Sequence, residues 1–317
     1  MFDVKRLLRD IHGADLIERS VALSLHCGVL MIPICLHSID RSFRGTLRPL
    51  RRGLAAAALV VAMPVALHAQ LRSFDHHGFD GLLREHVARG MVDYDAFAGS
   101  VPFARYLGQL SAFDPAGLSR DDRLAFWINA YNAYTIQLVN SHRERRSIRN
   151  INKSFGFVRA FGPWRQKLAM VGGRAYSLDE IEQDIIRPQF GEPRIHFALV
   201  CAAMGCPPLR SEAYIGVRLA EQLEDQARRF ILEAPTKNRV DVPTGTVFVS
   251  PIFIEFRDYI KDFGGTVQSV GRFLARYHPP GAARDLLLSG NYAMEKTSYD
   301  WQLNSQENER ALARIPR

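Results

Sequence analysis

The sequence predicts an α+β fold: one domain in which a mixed or antiparallel sheet is packed with helices. Three observations carry that reading. Apolar content and modest charge are those of a globular chain. Several stretches repeat apolar residues at three-four spacing, as amphipathic helices do, and between them stand short runs that turn at glycine. No internal repeat, low-complexity tract or linker divides the chain from about Gln70 to Arg317, a length that single domains reach.

The elements follow in chain order. "LRPLRRGLAAAALVVAMPVALHAQ" has the plan of a secretory signal: Arg48, Arg51 and Arg52 precede an uncharged run from Leu54 to Leu67, and Ala69 offers a small residue before a cut. The run is shorter than the roughly 20 residues of a membrane-spanning helix, so no stable span is expected after its removal. Residues 1–69 are therefore read as a leader with its signal at about 47–69, and the protein as periplasmic or secreted. A second apolar run, "VALSLHCGVLMIPICL", precedes the signal and suggests that translation starts later, at Met31 or closer to Leu47.

From Phe79 to Leu110 the spacing is helical, interrupted by "RGMVDYDAF", where Gly90 marks a turn and Asp93 to Asp95 a short extended piece. Ser119 with Asp122 resembles a helix N-cap, and Leu124, Trp127, Ile128, Tyr131, Tyr134, Thr135 and Leu138 then line one face of a helix running to about Asn140. Two strands meet at Gly172-Gly173, which can supply the positive φ of a tight hairpin. Ser177 with Glu180 forms a capping box that opens a helix through Ile181, Ile185 and Ile186, ended by Pro188. "RIHFALV" reads as a central strand. A helix from Leu219 to Leu232, a hairpin turning at Thr244-Gly245, helices around "IEFRDYIKDF" and from Thr266 to Tyr277, and a strand-like "TSYDWQLN" complete the chain.

The formal charge of +8 argues less than it suggests. Beyond residue 69 there remain 32 basic and 28 acidic residues, a balance of +4, so nucleic acid is not an expected partner. The densest basic cluster, "RERRSIRN", follows a predicted helix, where cations complement the carbonyl end of its dipole.

Chemistry is most concentrated in "IHFALVCAAMGCPPL", Ile195 to Leu209. Cys201 and Cys206 are the only cysteines after the leader, and in an oxidising compartment they could form a disulfide. They could equally be buried thiols, or nucleophilic, with His196 as base. H-x4-C-x4-C has metal-ligand residue types but not the close pairing of structural zinc, so neither a metal nor a cofactor is expected. Alternation along a strand would place His196 and Cys201 on opposite faces, so a working dyad requires a break near Val200. In "FWINAYNAY", Asn129 and Asn132 share one side of their helix and could orient a substrate or stabilise negative charge; the alternative is that they bond neighbouring backbone. Asp300 and Trp301 could line a pocket or anchor the terminal strand.

Together, "LAFWINAYNAYTIQLV", "IHFALVCAAMGCPPL", "YDWQLN" and "VDYDAF" resemble the domain-of-unknown-function 547 family, in its bacterial secreted form, across nearly all of the chain after the leader. Trp127, Asn129, Tyr131, Asn132, His196 and Cys201 match that family's signature, and Cys206 belongs to its "GCP" form. The resemblance implies a secreted domain without an established reaction. A loose similarity of element order to papain-like and transglutaminase-like folds stops at the helix, which has no cysteine. The expectation is a pocket between the two motifs, lined also by Trp127, Tyr131, Cys206, Asp300 and Trp301. It would serve a thiol-dependent hydrolase or acyl transferase with Cys201 as nucleophile, His196 as base and Asn129 and Asn132 in support. The alternatives are a noncatalytic envelope binding module with a structural disulfide, or a His/Cys metal-binding protein. In each the partner is an unknown small molecule or envelope component.

Overall fold

The structure, a computed structural model, describes residues 72–151 and 162–313; the leader, its signal and the proposed start lie outside them. The described residues fall within one compact unit, Leu67–Arg317. Among them no helix is long and apolar enough to cross a membrane.

Helix α1 (His77–His86) leads through strands β1 (Val87–Ala88) and β2 (Met91–Val92) into α2 (Tyr94–Phe97) and α3 (Val101–Ala112). Gly90, at φ +83°, turns the first hairpin, and a Cβ there would lie 2.3 Å from that of Pro208. The extended piece expected at Asp93 to Asp95 is helical instead, because the Asp93 carboxylate accepts from the Ala96 N–H at 3.2 Å and caps α2. Helix α4 (Arg120–Ser141) is the predicted one, capped by Ser119, whose hydroxyl accepts from the Asp122 N–H at 3.2 Å. Every residue from Leu124 to Ile136 is buried, so α4 runs through the interior rather than along one side of it.

Strands β3 (Ala169–Val171) and β4 (Arg174–Tyr176) form the Gly172-Gly173 hairpin. The capping box follows: the Glu180 N–H donates to Ser177 Oγ at 3.1 Å and the Ser177 N–H to Glu180 Oε2 at 2.7 Å. Its helix is wound as a π-helix over Glu180–Ile186 and continues into α5 (Arg187–Phe190). Pro188 does not end it. The Arg187 N–H reaches five residues back to the Glu182 carbonyl, and Pro188 then falls in the first turn of α5, where its missing N–H costs little.

The central strand expected in "RIHFALV" is a four-residue helix, α6 (Ile195–Ala198). Apolar density alone does not separate a buried strand from a buried helical turn. Helix α7 (Leu219–Leu232) and strands β5 (Arg239–Asp241) and β6 (Thr246–Val249) match expectation. "IEFRDYIKDF" does not form one helix: α8 (Pro251–Ile254) ends early, Arg257 adopts φ +48°, and a 3-10 turn covers Tyr259–Phe263. The helix expected from Thr266 to Tyr277 is α9 (Val267–Ala275), with Thr266 as its cap. Helix α10 (Ala282–Ser289), strand β7 (Ala293–Lys296) beside β6 in parallel, and α11 (Gln306–Ala313) were not anticipated. "TSYDWQLN" forms no strand but a bridge from Leu303 to Ala203.

The fold is α+β, with three small sheets among the described residues, two of them hairpins and the third mixed. Two hydrophobic cores fill it. One gathers α1, α3, α4, the first two hairpins and the start of α7; the other gathers the end of α7, β6 and α8 to α10. Helix α6 serves both, since Ile195 and Ala198 pack into the first and Phe197 into the second.

Candidate functional site

The seam between the cores is set by α4. Asn132 Nδ2 donates to the Ala198 carbonyl at 2.9 Å and its Oδ1 accepts from the Val200 N–H at 3.0 Å. The carboxamide thus satisfies the backbone leaving α6, as a neighbouring strand would have done. Asn129 does the same for Tyr214, donating to its carbonyl at 2.7 Å and accepting from its N–H at 2.9 Å. Both side chains are buried, neither walls the pocket described below, and each bonds backbone, as the alternative reading of them had it.

Beyond Val200 the chain bends into a loop closed by a Cys201–Cys206 disulfide, its Cα atoms 6.2 Å apart. Ala202, inside the loop, adopts φ +62°. The tail lies against this loop: the Met204 N–H donates to the Gln302 carbonyl at 2.7 Å, the Gly205 N–H to that of Asp300 at 2.8 Å, and the Asn304 N–H to that of Ala202 at 3.3 Å. The Tyr299 hydroxyl lies 3.1 Å from Cys201 Sγ and 3.2 Å from Cys206 Sγ. With its sulfur bonded, Cys201 is not a resting nucleophile. Neither cysteine is a thiolate ligand, and no metal-holding cluster of three His, Cys, Asp or Glu occurs among the described residues.

A pocket of about 270 Å³ opens beside the disulfide. On one side Trp164, Phe256, Tyr299 and Trp301 form an aromatic wall, with Tyr299 4.6 Å from Trp301 and 4.8 Å from Phe256 between ring centres. The pocket is also lined by Tyr131 of α4, His196 of α6 and Tyr259, the rings of the last two tilted by 33° with their centres 4.1 Å apart. The π-helical segment contributes Glu182, which is buried and accepts from the Tyr259 hydroxyl; the preceding Asp179 pairs with Arg257 at 2.5 Å. Widened turns of this kind recur at functional sites because they re-aim side chains out of the α-helical register.

Behind the wall, His196 Nε2 donates to Asp262 Oδ2 at 2.6 Å, and Arg187 grips the same carboxylate at 2.7 and 3.0 Å. Burial pushes the Asp262 carboxyl up, but the His196 and Arg187 hydrogen bonds outweigh it and hold the pKa at about 2. A carboxylate only accepts, so it fixes a proton on Nε2, while Nδ1 is buried without a hydrogen-bond partner among the described residues. Burial, and then the charge of Glu182, push the Tyr131 and Tyr259 hydroxyls well above the ordinary tyrosine range, so both rings stay neutral donors.

Of the residues expected at the site, His196, Cys201, Cys206, Tyr131 and Trp301 converge on this pocket. Trp127 does not: it walls a separate cavity of about 480 Å³ with Arg123 and Tyr176. Asp300 is exposed, and its carboxylate accepts from the Gln302 N–H at 2.8 Å, anchoring the tail. Tyr299 was missed, although the alternation of an extended tail puts it on the face of Trp301 and Asp300 on the other. Glu182, Arg257, Tyr259 and Trp164 carried no signal, since a carboxylate in an acidic helix ordinarily faces water and the rings are far apart in sequence.

These features define an α+β domain with an aromatic, acidic pocket against a disulfide loop. Residues 115–231 match the model of the family described as "Protein of unknown function, DUF547", and the resemblance read from the sequence holds over that segment. "VDYDAF" and "YDWQLN" lie outside it. No curated protein and no solved structure matches the chain.

Proposed function

We propose that this is a noncatalytic binding module of the cell envelope whose pocket takes a small organic cation. The observation that carries the reading is Glu182, a buried carboxylate among aromatic rings. The pocket wall holds two carboxylates: Asp179 pairs with Arg257 at 2.5 Å and with Arg165 at 3.3 Å, whereas Glu182 accepts from the neutral Tyr259 hydroxyl. A cation entering there gains the faces of the rings and the Glu182 carboxylate together. The volume of about 270 Å³ lies at the lower end of ligand pockets and suits a compact ligand. A disulfide favours an oxidising compartment, in keeping with a periplasmic or secreted location. Choline and its uncharged carbon analogue 3,3-dimethylbutanol make the test. Choline is expected to bind in calorimetry and raise the unfolding midpoint, the analogue far less, and Glu182→Gln to weaken choline about tenfold, for ~1.5 kcal/mol of lost charged contact. Equal binding of the two compounds, or no effect of the substitution, refutes the reading.

One observation favours a second reading, a thiol-dependent hydrolase or acyl transferase: His196 and Cys201 wall the same pocket. It requires the reduced protein, with Cys201 as nucleophile and Nδ1 of His196 as base. An activated ester would then add covalent mass at Cys201, and His196→Ala would abolish the addition.

A further inference from the structure

We propose that the Cys201–Cys206 disulfide is a thiol–disulfide exchange site for an external dithiol, attacked at Cys201 with Cys206 as the leaving sulfur. This does not depend on what the pocket binds.

The two sulfurs are not equivalent. Cys201 is partly exposed, whereas Cys206 is 2% exposed, although both residues wall the pocket. A thiolate entering the pocket therefore meets Cys201 first. The sulfur that must leave is already provided for: the Cys201 N–H donates to Cys206 Sγ at 3.0 Å, and the Tyr299 hydroxyl, 3.1 Å from Cys201 Sγ and 3.2 Å from Cys206 Sγ, can turn its proton to Cys206 when Cys201 takes the incoming sulfur. Exchange is faster the better the leaving thiolate is stabilised, and two aimed donors favour the anion over the protonated thiol. The Lys237 ammonium adds a positive charge on the same residue, donating to the Cys206 carbonyl at 2.5 Å.

In the first step the incoming thiolate forms a bond to Cys201 Sγ as the Sγ–Sγ bond breaks, and the electron pair leaves on Cys206. In the second step the other sulfur of the dithiol, having lost its proton to solvent, attacks its partner sulfur in the mixed disulfide and expels Cys201 as thiolate. The two cysteine thiolates take up two protons from solvent. Two electrons have passed from the dithiol, now a disulfide, to the cysteine pair, now two thiols.

The folded full-length protein is treated with dithiothreitol at neutral pH, quenched by alkylation at intervals and weighed by mass spectrometry. Reduction to two alkylated thiols is expected without loss of the circular dichroism spectrum, and about fivefold more slowly in Tyr299→Phe, as suits one lost hydrogen bond. With glutathione disulfide, Cys206→Ser is expected to form a mixed disulfide at Cys201, while Cys201→Ser leaves buried Cys206 unmodified. These single-cysteine variants also decide the matter if Tyr299→Phe fails to fold. Reduction only after urea is added, an unchanged rate in folded Tyr299→Phe, or preferential modification of Cys206 would each overturn the proposal.

Discussion

His76 is 7% exposed, with its Nδ1 2.7 Å from the Tyr106 hydroxyl and its ring packed against Phe74 and Phe126. Burial pushes its pKa down from 6.5 to about 4, against the weaker pull of Asp75 and Asp122. The unfolded chain takes up this proton near pH 6.5 and the native state only near 4, so between those values the unfolded state binds more protons and stability rises with pH. Acidification from pH 7 to 4 should thus cost about 3 kcal/mol through this residue. Urea unfolding at pH 7.5, 5.5 and 4 checks it: His76→Gln, which keeps a partner for Tyr106, is expected to flatten the slope across that window. Asp262 and Glu212, each held at about 2, act below it, where their protonation removes the stability they contribute above the ordinary carboxylate range.

At the scale of elements, the disulfide loop and the tail are fitted by a missing side chain. A Cβ on Gly205 would lie 2.9 Å from three atoms of the Tyr299 ring, which is confined by the sulfurs, Phe256 and Trp301. Gly205→Ala is expected to cost about 1–3 kcal/mol in chemical denaturation, as overpacking does, and to diminish the near-ultraviolet dichroism of the aromatic wall. An unchanged midpoint would show the ring free to shift. Helix α4 and the hairpins were legible because their signals are local: an N-cap with three-four spacing, and paired glycines. Helix α6 was not, because its conformation is decided by the Asn132 carboxamide 66 positions upstream of Ala198, which takes the place of a strand neighbour. The same long reach hid the Glu182–Tyr259 contact, while the concentration of His196, Cys201 and Cys206 in one short motif made half the site readable.

At the scale of the whole molecule, the pocket belongs to neither core alone, since Leu199 comes from one and Ile252 from the other. The matched family segment supplies the disulfide and the α4 face, but Tyr259, Tyr299 and Trp301 lie beyond it. The docking of Tyr299 on the sulfurs therefore also sets a sequence of events in time. Cys201 and Cys206 are five residues apart, whereas Tyr299 lies 98 residues from Cys201. Short loops close before long ones, so the sulfurs can meet while the tail is still free. During maturation there is then an interval in which a protein oxidase can reach the pair; once the ring settles beside them, access narrows to thiols small enough to enter the pocket. In oxidative refolding, thiol trapping at timed intervals should find the bond formed before the aromatic signal of the tail develops; simultaneous appearance of the two would rule out such an interval.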